Sequence, residues 1–264
     1  MPFLSAGGLV THYDLAGPQD APVLLLANSL GTSFHIWDAV MPALAARFRV
    51  LRYDMRGHGL TDAVPLEGEN GYSIAALAGD ALALMDALGI GKAHVCGLSI
   101  GGMVAQHLAA HAPDRVERLV LCDTAAVIGP ASVWNERVAG IRKSGLAAIA
   151  PGVMERWFTA PFRAANPVIM QGCINMVARN TLDGYVGCAL AVRDADLRAD
   201  GARIAAPTLV IVGDQDPATP PAAAEALAAG ITGARLAVIA SASHIPCVEQ
   251  PAALERLLVD FLSA

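Results

Sequence analysis

Gly97-Leu98-Ser99-Ile100-Gly101 sets a serine between two glycines, with an apolar run before it and a helix-forming run after it. A tight strand-to-helix turn holds such a serine in strained backbone geometry, which the glycines permit because they carry no Cβ to clash. The hydroxyl is then pushed out at the sheet edge, and the next backbone N–H points into the same space. A serine needs a base to become nucleophilic, and the base needs a buried carboxylate to fix its tautomer. Seven histidines compete for the first role. His244 is the best placed, in the small-residue loop Ala240-Ser241-Ala242-Ser243-His244-Ile245-Pro246, after the last predicted strand and before the last helix. His107 and His111 fall on the helix that follows Ser99 and read as surface or packing residues. His12, His35 and His94 lie in or beside predicted elements with no reason to reach the serine. For the carboxylate, Val210-Ile211-Val212-Gly213-Asp214-Gln215-Asp216-Pro217 offers two choices, and spacing alone does not decide between Asp214 and Asp216.

Acyl chemistry also needs donors for an oxyanion. The loop Ala27-Asn28-Ser29-Leu30-Gly31-Thr32-Ser33 follows the first buried strand, and Gly31 allows the close turn that aims a backbone N–H inward. The backbone amides of Leu30 and Ile100 are the candidates. One such donor is typically worth about 10²–10³ in kcat.

The elements that must position these groups alternate regularly. Short apolar runs at 23–27, 48–53, 93–98, 118–122, 208–212 and 235–239 read as strands, several buried on both faces as in a parallel sheet. Helices are expected at 36–46, 73–88, 100–112, 221–229 and 251–262, and 9–15 alternates like a hairpin strand. The helix at 73–88 is expected to carry Asp80 and Asp86 on its surface. Between Ala125 and about Ala205 the rhythm breaks into helical segments with no clear buried strand. The chain therefore divides into an α/β core, residues 1–124 and 206–264, and a helical insertion, residues 125–205. Loops at the carboxyl ends of strands in such a sheet face a common crevice, where Ser99, the acid and His244 would meet.

Composition narrows the classes. A chain of 264 residues, 55% hydrophobic, can bury a large core. Its net charge of −6 and lack of a basic block argue against nucleic-acid binding. No apolar run is long enough to span a bilayer, and the segment through Gly17 has no leader-like pattern, so a cytoplasmic location is expected. The five cysteines are scattered and odd in number, which fits buried free thiols rather than disulfides or a zinc site.

With these residues in view, the chain resembles the α/β-hydrolase superfamily over nearly its whole length. The resemblance rests on Tyr53-Asp54-Met55-Arg56-Gly57-His58-Gly59, Gly97-Leu98-Ser99-Ile100-Gly101-Gly102, Gly213-Asp214-Gln215-Asp216 and Ser243-His244-Ile245-Pro246. It implies the α/β-hydrolase fold, a mostly parallel central sheet flanked by helices, with residues 125–205 as a helical cap. The order Ser…Asp…His is the one this superfamily uses. In its G-x-x-D pattern the fourth residue is the acid, which selects Asp216.

Asn28-Ser29-Leu30-Gly31-Thr32, Gly97-Leu98-Ser99-Ile100-Gly101-Gly102-Met103 and Asp214-Gln215-Asp216-Pro217-Ala218-Thr219-Pro220-Pro221 further resemble the 3-oxoadipate enol-lactonases of the β-ketoadipate pathway of aromatic catabolism. That likeness implies Ser99 attack on a lactone carbonyl, with no metal or organic cofactor. The small-molecule substrate then carries a free carboxylate. Trp134, with one N–H and a broad apolar face, and Arg137 are the candidate substrate-binding residues, with Arg142 and Lys143 nearby. Arg56 and His58 read as a structural brace. A carboxylesterase, a perhydrolase or non-haem haloperoxidase and a C–C hydrolase are the alternatives within the fold; a non-enzymatic ligand receptor is disfavoured by the complete set Ser99, Asp216 and His244. Whether the chain forms a homo-oligomer is left open.

Overall fold

The computed structural model describes residues 2–68 and 70–264. Eight strands form one sheet: β1 (Phe3–Ala6), β2 (Leu9–Ala16), β3 (Val23–Ala27), β4 (Arg49–Tyr53), β5 (Ala93–Leu98), β6 (Val116–Cys122), β7 (Thr208–Gly213) and β8 (Arg235–Ile239). Their order is β1-β2-β4-β3-β5-β6-β7-β8. β1 and β2 form an antiparallel pair, and β2 joins β4 antiparallel. Every remaining neighbour is parallel. β5 and β7 are buried along their whole length, which is why, His94 and Thr208 apart, their residues are apolar without alternation. The edge strand β8 is largely exposed.

From β3 the chain steps to β4 on one side, then crosses back to β5 on the other. The crevice at the carboxyl end of such a switch point is where an α/β sheet binds ligands. The Asn28 loop leaves β3 there and Ser99 leaves β5.

The helices are α1 (Met41–Ala45), α2 (Ile74–Ala87), α3 (Ile100–His111), α4 (Ala131–Ser144), α5 (Leu146–Trp157), α6 (Ala160–Ala165), α7 (Pro167–Ala178), α8 (Leu182–Asp194), α9 (Pro221–Ala229), α10 (Pro246–Glu249) and α11 (Pro251–Leu262). Ser73 caps α2 by accepting from the Ala76 amide. No described helix is long and apolar enough to cross a membrane.

Two expectations fail locally. The helix expected at 36–46 is a 3₁₀ turn, Phe34–Trp37, followed by α1. Buried tertiary bonds override the helical periodicity: the Phe34 amide donates to Asp54 Oδ1 (2.8 Å), and Trp37 Nε1 donates to Asn28 Oδ1 (2.8 Å). Pro42 then starts a fresh helix. Asp80, expected on the surface, is mostly buried and takes a two-pronged bond from Arg56 Nε and Nη2. Arg56 also lies over the Tyr72 ring, 5.0 Å from its centroid, so the Arg-Gly-His-Gly loop is braced.

Helices α4 to α8 occupy the stretch between β6 and β7. They dock on the core at the same loop. Thr181 donates to the Gly57 carbonyl through its amide (3.1 Å) and Oγ1 (2.9 Å). A Cβ on Gly57, whose φ is +71°, would sit 2.3 Å from Gly184 Cα, so only glycine permits this contact between loop and α8. Asn180 Nδ2 donates to the Gly31 carbonyl (2.9 Å), tying these helices to the loop after β3.

Candidate active site

Ser99 precedes α3 with φ 59° and ψ −119°, a conformation that costs of order 1–3 kcal/mol and must be held by its surroundings. Its N–H donates to the Cys122 carbonyl (3.0 Å), and its carbonyl accepts from Thr124 Oγ1 (2.7 Å) and the Gly102 amide (2.9 Å). A Cβ at position 97 would fall 2.1 Å from the Gly101 carbonyl oxygen, and one at 101 would fall 2.4 Å from that of Ala27. The G-x-S-x-G spacing is therefore a steric requirement of the turn. Ser99 and His244 both line a cavity of about 620 Å³.

His244 Nδ1 lies 2.8 Å from Asp216 Oδ2. Asp216 is buried and held from three further directions: Thr219 Oγ1 donates to Oδ2 (2.6 Å), and the amides of Ala218 (2.7 Å) and Thr219 (3.2 Å) donate to Oδ1. Burial pushes this carboxyl up, but His244 and the hydrogen bonds outweigh it and hold the group below its ordinary value. An ionised Asp216 only accepts, so Nδ1 carries the imidazole proton and Nε2 keeps a lone pair. The other candidate, Asp214, is exposed and accepts from the Ala242 amide (3.2 Å), bracing the histidine loop from outside.

The amides of Leu30 and Ile100 donate to no protein acceptor among the described residues, and both residues line the cavity. Their loops are joined, since the Gly101 amide donates to the Asn28 carbonyl (3.1 Å). Asn28 is in turn fixed through Nδ2 to the Tyr53 carbonyl (2.7 Å). Two free N–H groups on fixed loops beside a serine can stabilise a developing oxyanion.

Helices α4, α5 and α8 supply the far wall. Trp134 and Arg137 both line the cavity, but the Trp134 indole N–H donates to the Ile128 carbonyl (2.7 Å). The expectation that this N–H meets a ligand is corrected: a carbonyl in the segment just before α4 has taken it, and the residue offers its apolar face. Arg137 lies over the Trp134 and Tyr185 rings at 5.3 and 5.8 Å, with Nε buried and unpartnered. Arg156 lines the same cavity, and burial together with Arg137 lowers its pKa. Neither arginine pairs with a carboxylate among the described residues. Arg142 and Lys143 do not line the cavity.

Two buried carboxyls that the motifs do not announce support the site. Glu249 on α10 accepts from the Ser243 amide through Oε2 (2.8 Å) and from the Thr159 amide through Oε1 (2.9 Å). Ser243 Oγ also donates to the Arg156 carbonyl (3.0 Å), and the Ile245 amide to that of Trp157 (3.2 Å). The histidine loop is thereby stitched to the end of α5 that carries Arg156. Glu249→Ala orphans the Ser243 and Thr159 amides and is expected to cost about 2–6 kcal/mol in urea unfolding, at 1–3 kcal/mol for each. Glu249→Gln, which orphans or opposes one of them, is expected to lose less than the alanine variant.

Asp123, straight after β6, is fully buried with φ 44°. Its Oδ1 accepts from the Gly213 amide (2.8 Å), while Oδ2 has no donor among the described residues and the carboxyl interacts with that of Asp216. Burial, then the charge of Asp216, pushes Asp123 well above the ordinary carboxyl range. A raised acid pKa means that the folded chain holds a proton which the unfolded chain releases. Stability therefore falls as pH rises from the unfolded value near about 4 towards the folded one. Asp123→Asn keeps the acceptor for Gly213 and supplies N–H donors for Asp216. Its urea midpoint is expected to gain on the wild type as pH rises from 5 to 8 and to lose the downward slope; a constant difference across that range would contradict the protonated reading.

The geometry finds its counterpart in known proteins. Residues 22–144 match the family model described as alpha/beta hydrolase fold, and residues 175–264 match one described as TAP-like protein. A protein named 3-oxoadipate enol-lactonase 2, from Acinetobacter baylyi, is 38% identical over 96% of this chain and 93% of its own. The chain belongs to the α/β-hydrolase family. A second relative from that organism, 3-oxoadipate enol-lactonase 1, is 34% identical over 97% of this chain and 94% of its own. Among solved structures, the enol-lactonase from Burkholderia xenovorans superposes with a TM-score of 0.95 at 41% identity, covering 100% of both chains. An esterase from Thermogutta terrifontis gives 0.89 at 27% identity, over 99% of this chain and 97% of its own. This α/β-hydrolase is an enzyme of the carboxylic-ester hydrolase class, and its eight-stranded sheet is that of the fold.

Proposed function

We propose that this α/β-hydrolase opens the ring of 3-oxoadipate enol-lactone to 3-oxoadipate through an acyl-enzyme on Ser99. The observation that carries the reading is the cavity itself. Ser99 and His244 stand at its floor, and Arg137 and Arg156, with no carboxylate partners, line its cap-side wall. A small lactone with a free carboxylate fits that distribution of chemistry, and the enol-lactonases among its relatives act on such a molecule by name.

His244 Nε2 takes the Ser99 hydroxyl proton as Oγ attacks the lactone carbonyl. The amides of Leu30 and Ile100 hold the resulting oxyanion. Asp216, already ionised and aimed at Nδ1, stabilises the imidazolium. Collapse breaks the ring C–O bond and expels an enolate, which His244 protonates and which tautomerises to the ketone. An enol is a better leaving group than an alkoxide, so ring opening needs little strain. Water, deprotonated by His244, then attacks the acyl-enzyme and frees the second carboxylate. The cationic pair Arg137 and Arg156 binds the substrate carboxylate throughout, with Trp134 covering the apolar part.

Charge-assisted hydrogen bonds are worth about 1.5–3 kcal/mol, so Arg137→Met is expected to lower kcat/KM on the enol-lactone roughly 10–150-fold. Hydrolysis of p-nitrophenyl acetate, which has no carboxylate, is expected to change less than threefold. Equal losses on both substrates would remove Arg137 from carboxylate recognition. The proposed activity is tested by following enol-lactone absorbance beside p-nitrophenyl acetate turnover. Fast lactone opening supports it; fast ester turnover without lactone opening replaces it with a carboxylesterase.

A further inference from the structure

Helix α3 carries Ser99 at its start and, two turns on, a pair of histidines that the proposed chemistry does not use. His107 and His111 are four residues apart, on one helical face, with rings stacked at a centroid distance of 4.1 Å. Asp200 meets both from another part of the chain. Its Oδ1 is 3.1 Å from His111 Nε2, and its Oδ2 is 3.8 Å from His107 Nδ1. The three ligand atoms all lie within 4.8 Å of one another.

We propose that His107, His111 and Asp200 form a binding site for a borderline divalent transition metal, of which Zn²⁺ is the type, outside the cavity. Two imidazole nitrogens and one carboxylate oxygen are the donor set such ions take, with water completing the sphere. Tetrahedral bonds of about 2.0–2.1 Å space neighbouring ligand atoms roughly 3.3–3.4 Å apart. The observed separations, 3.1 Å to Oδ1 and 3.8 Å to Oδ2, are to different oxygens, and the three ligand atoms lie within 4.8 Å of one another, so side-chain rotation closes the site on one carboxylate oxygen. The histidine side chains are 22% and 40% exposed, which leaves an entry path and room to turn.

The carboxylate is preset. The Asp200 amide donates to the Leu197 carbonyl (3.0 Å) and its carbonyl accepts from the Arg203 backbone amide (2.8 Å). The next residue, Gly201, is so close to α9's end that a Cβ would lie 2.6 Å from the Gly230 carbonyl oxygen. No lysine or arginine pairs with Asp200 among the described residues, so only the imidazoles meet its charge. The ion would clamp α3 to the segment that leads from the cap-side helices into β7. Ser99 lies eight residues before His107, about 12 Å along the helix axis, so the clamp does not touch reacting atoms.

The test is Zn²⁺ titration of the full chain by calorimetry and thermal unfolding, with Co²⁺ absorption as a report on geometry. One ion per chain is expected, with Tm raised about 5 °C at a hundredfold excess over Kd and Co²⁺ bands of low coordination number. His111→Ala and Asp200→Asn are expected to fold, to keep enol-lactone or ester turnover, and each to weaken binding at least tenfold. His35→Ala, which breaks the other exposed histidine–aspartate pair, is expected to bind as the wild type does. Absence of one-site binding, undiminished binding in both variants, or Zn²⁺ inhibition that they leave unchanged would each overturn the site.

Discussion

Ser99→Ala is expected to lower kcat about 10⁵–10⁶-fold on any ester or lactone the enzyme turns over, the scale on which loss of a triad nucleophile is felt. The fold is expected to survive. The turn is held by backbone groups, from Ser99 N–H to the Cys122 carbonyl and from Thr124 Oγ1 to the Ser99 carbonyl, and the alanine keeps both. Alanine also retains the Cβ and so inherits the positive-φ strain without adding to it. Residual turnover would come from the amides of Leu30 and Ile100 and from binding alone. A folded variant within tenfold of the wild type, measured in the same assay, would contradict the mechanism.

Asp216→Asn is expected to cost about 10⁴ in kcat, because it installs the wrong histidine tautomer. The site itself dictates this. Two backbone amides, Ala218 and Thr219, donate to Oδ1, so the new amide oxygen must settle there. Its NH₂ then occupies the Oδ2 place and donates to His244 Nδ1, 2.8 Å away. Nε2 is left carrying the proton and cannot accept another from Ser99. Aspartate also contributes to stability here, and the sign follows from its depressed pKa. That stabilisation is present above the unfolded value near about 4 and is lost as pH falls through the folded one, so Asp216→Asn is expected to flatten acid unfolding. Since Asp216 stays ionised below the ordinary carboxyl range, it does not set the acid limb of an activity profile measured above pH 4.

These two effects concern residues that the sequence made legible, and the reason is local. Gly97 and Gly101 leave a signature because a Cβ at either place collides with backbone. Asp216 and His244 sit in short loops at strand ends, where the parallel sheet directs them to one crevice. What the sequence hid depends on partners distant along the chain. Asp123 follows β6 as plainly as Asp216 follows β7, and that strand-end position was a usable signal. Glu249 gave none, because its amide partners at Ser243 and Thr159 meet only in the folded chain. Arg156 reaches the cavity through the packing of α5, which no motif encodes. Trp134 lines the cavity, yet its N–H is spent on Ile128, a bond invisible before α4 is seen. The helix at 36–46 failed for the same reason, since Asp54 and Asn28 hold its first turn in another shape.

The central claim is that Ser99 is the residue acylated during turnover. Peptide mass analysis after treatment with a serine-directed phosphonate tests it most directly. The account predicts one adduct per chain, on the peptide carrying Ser99, growing in step with loss of activity and absent from Ser99→Ala. Folded, active enzyme that stays unlabelled, or inactivation with the adduct on another residue, would contradict it.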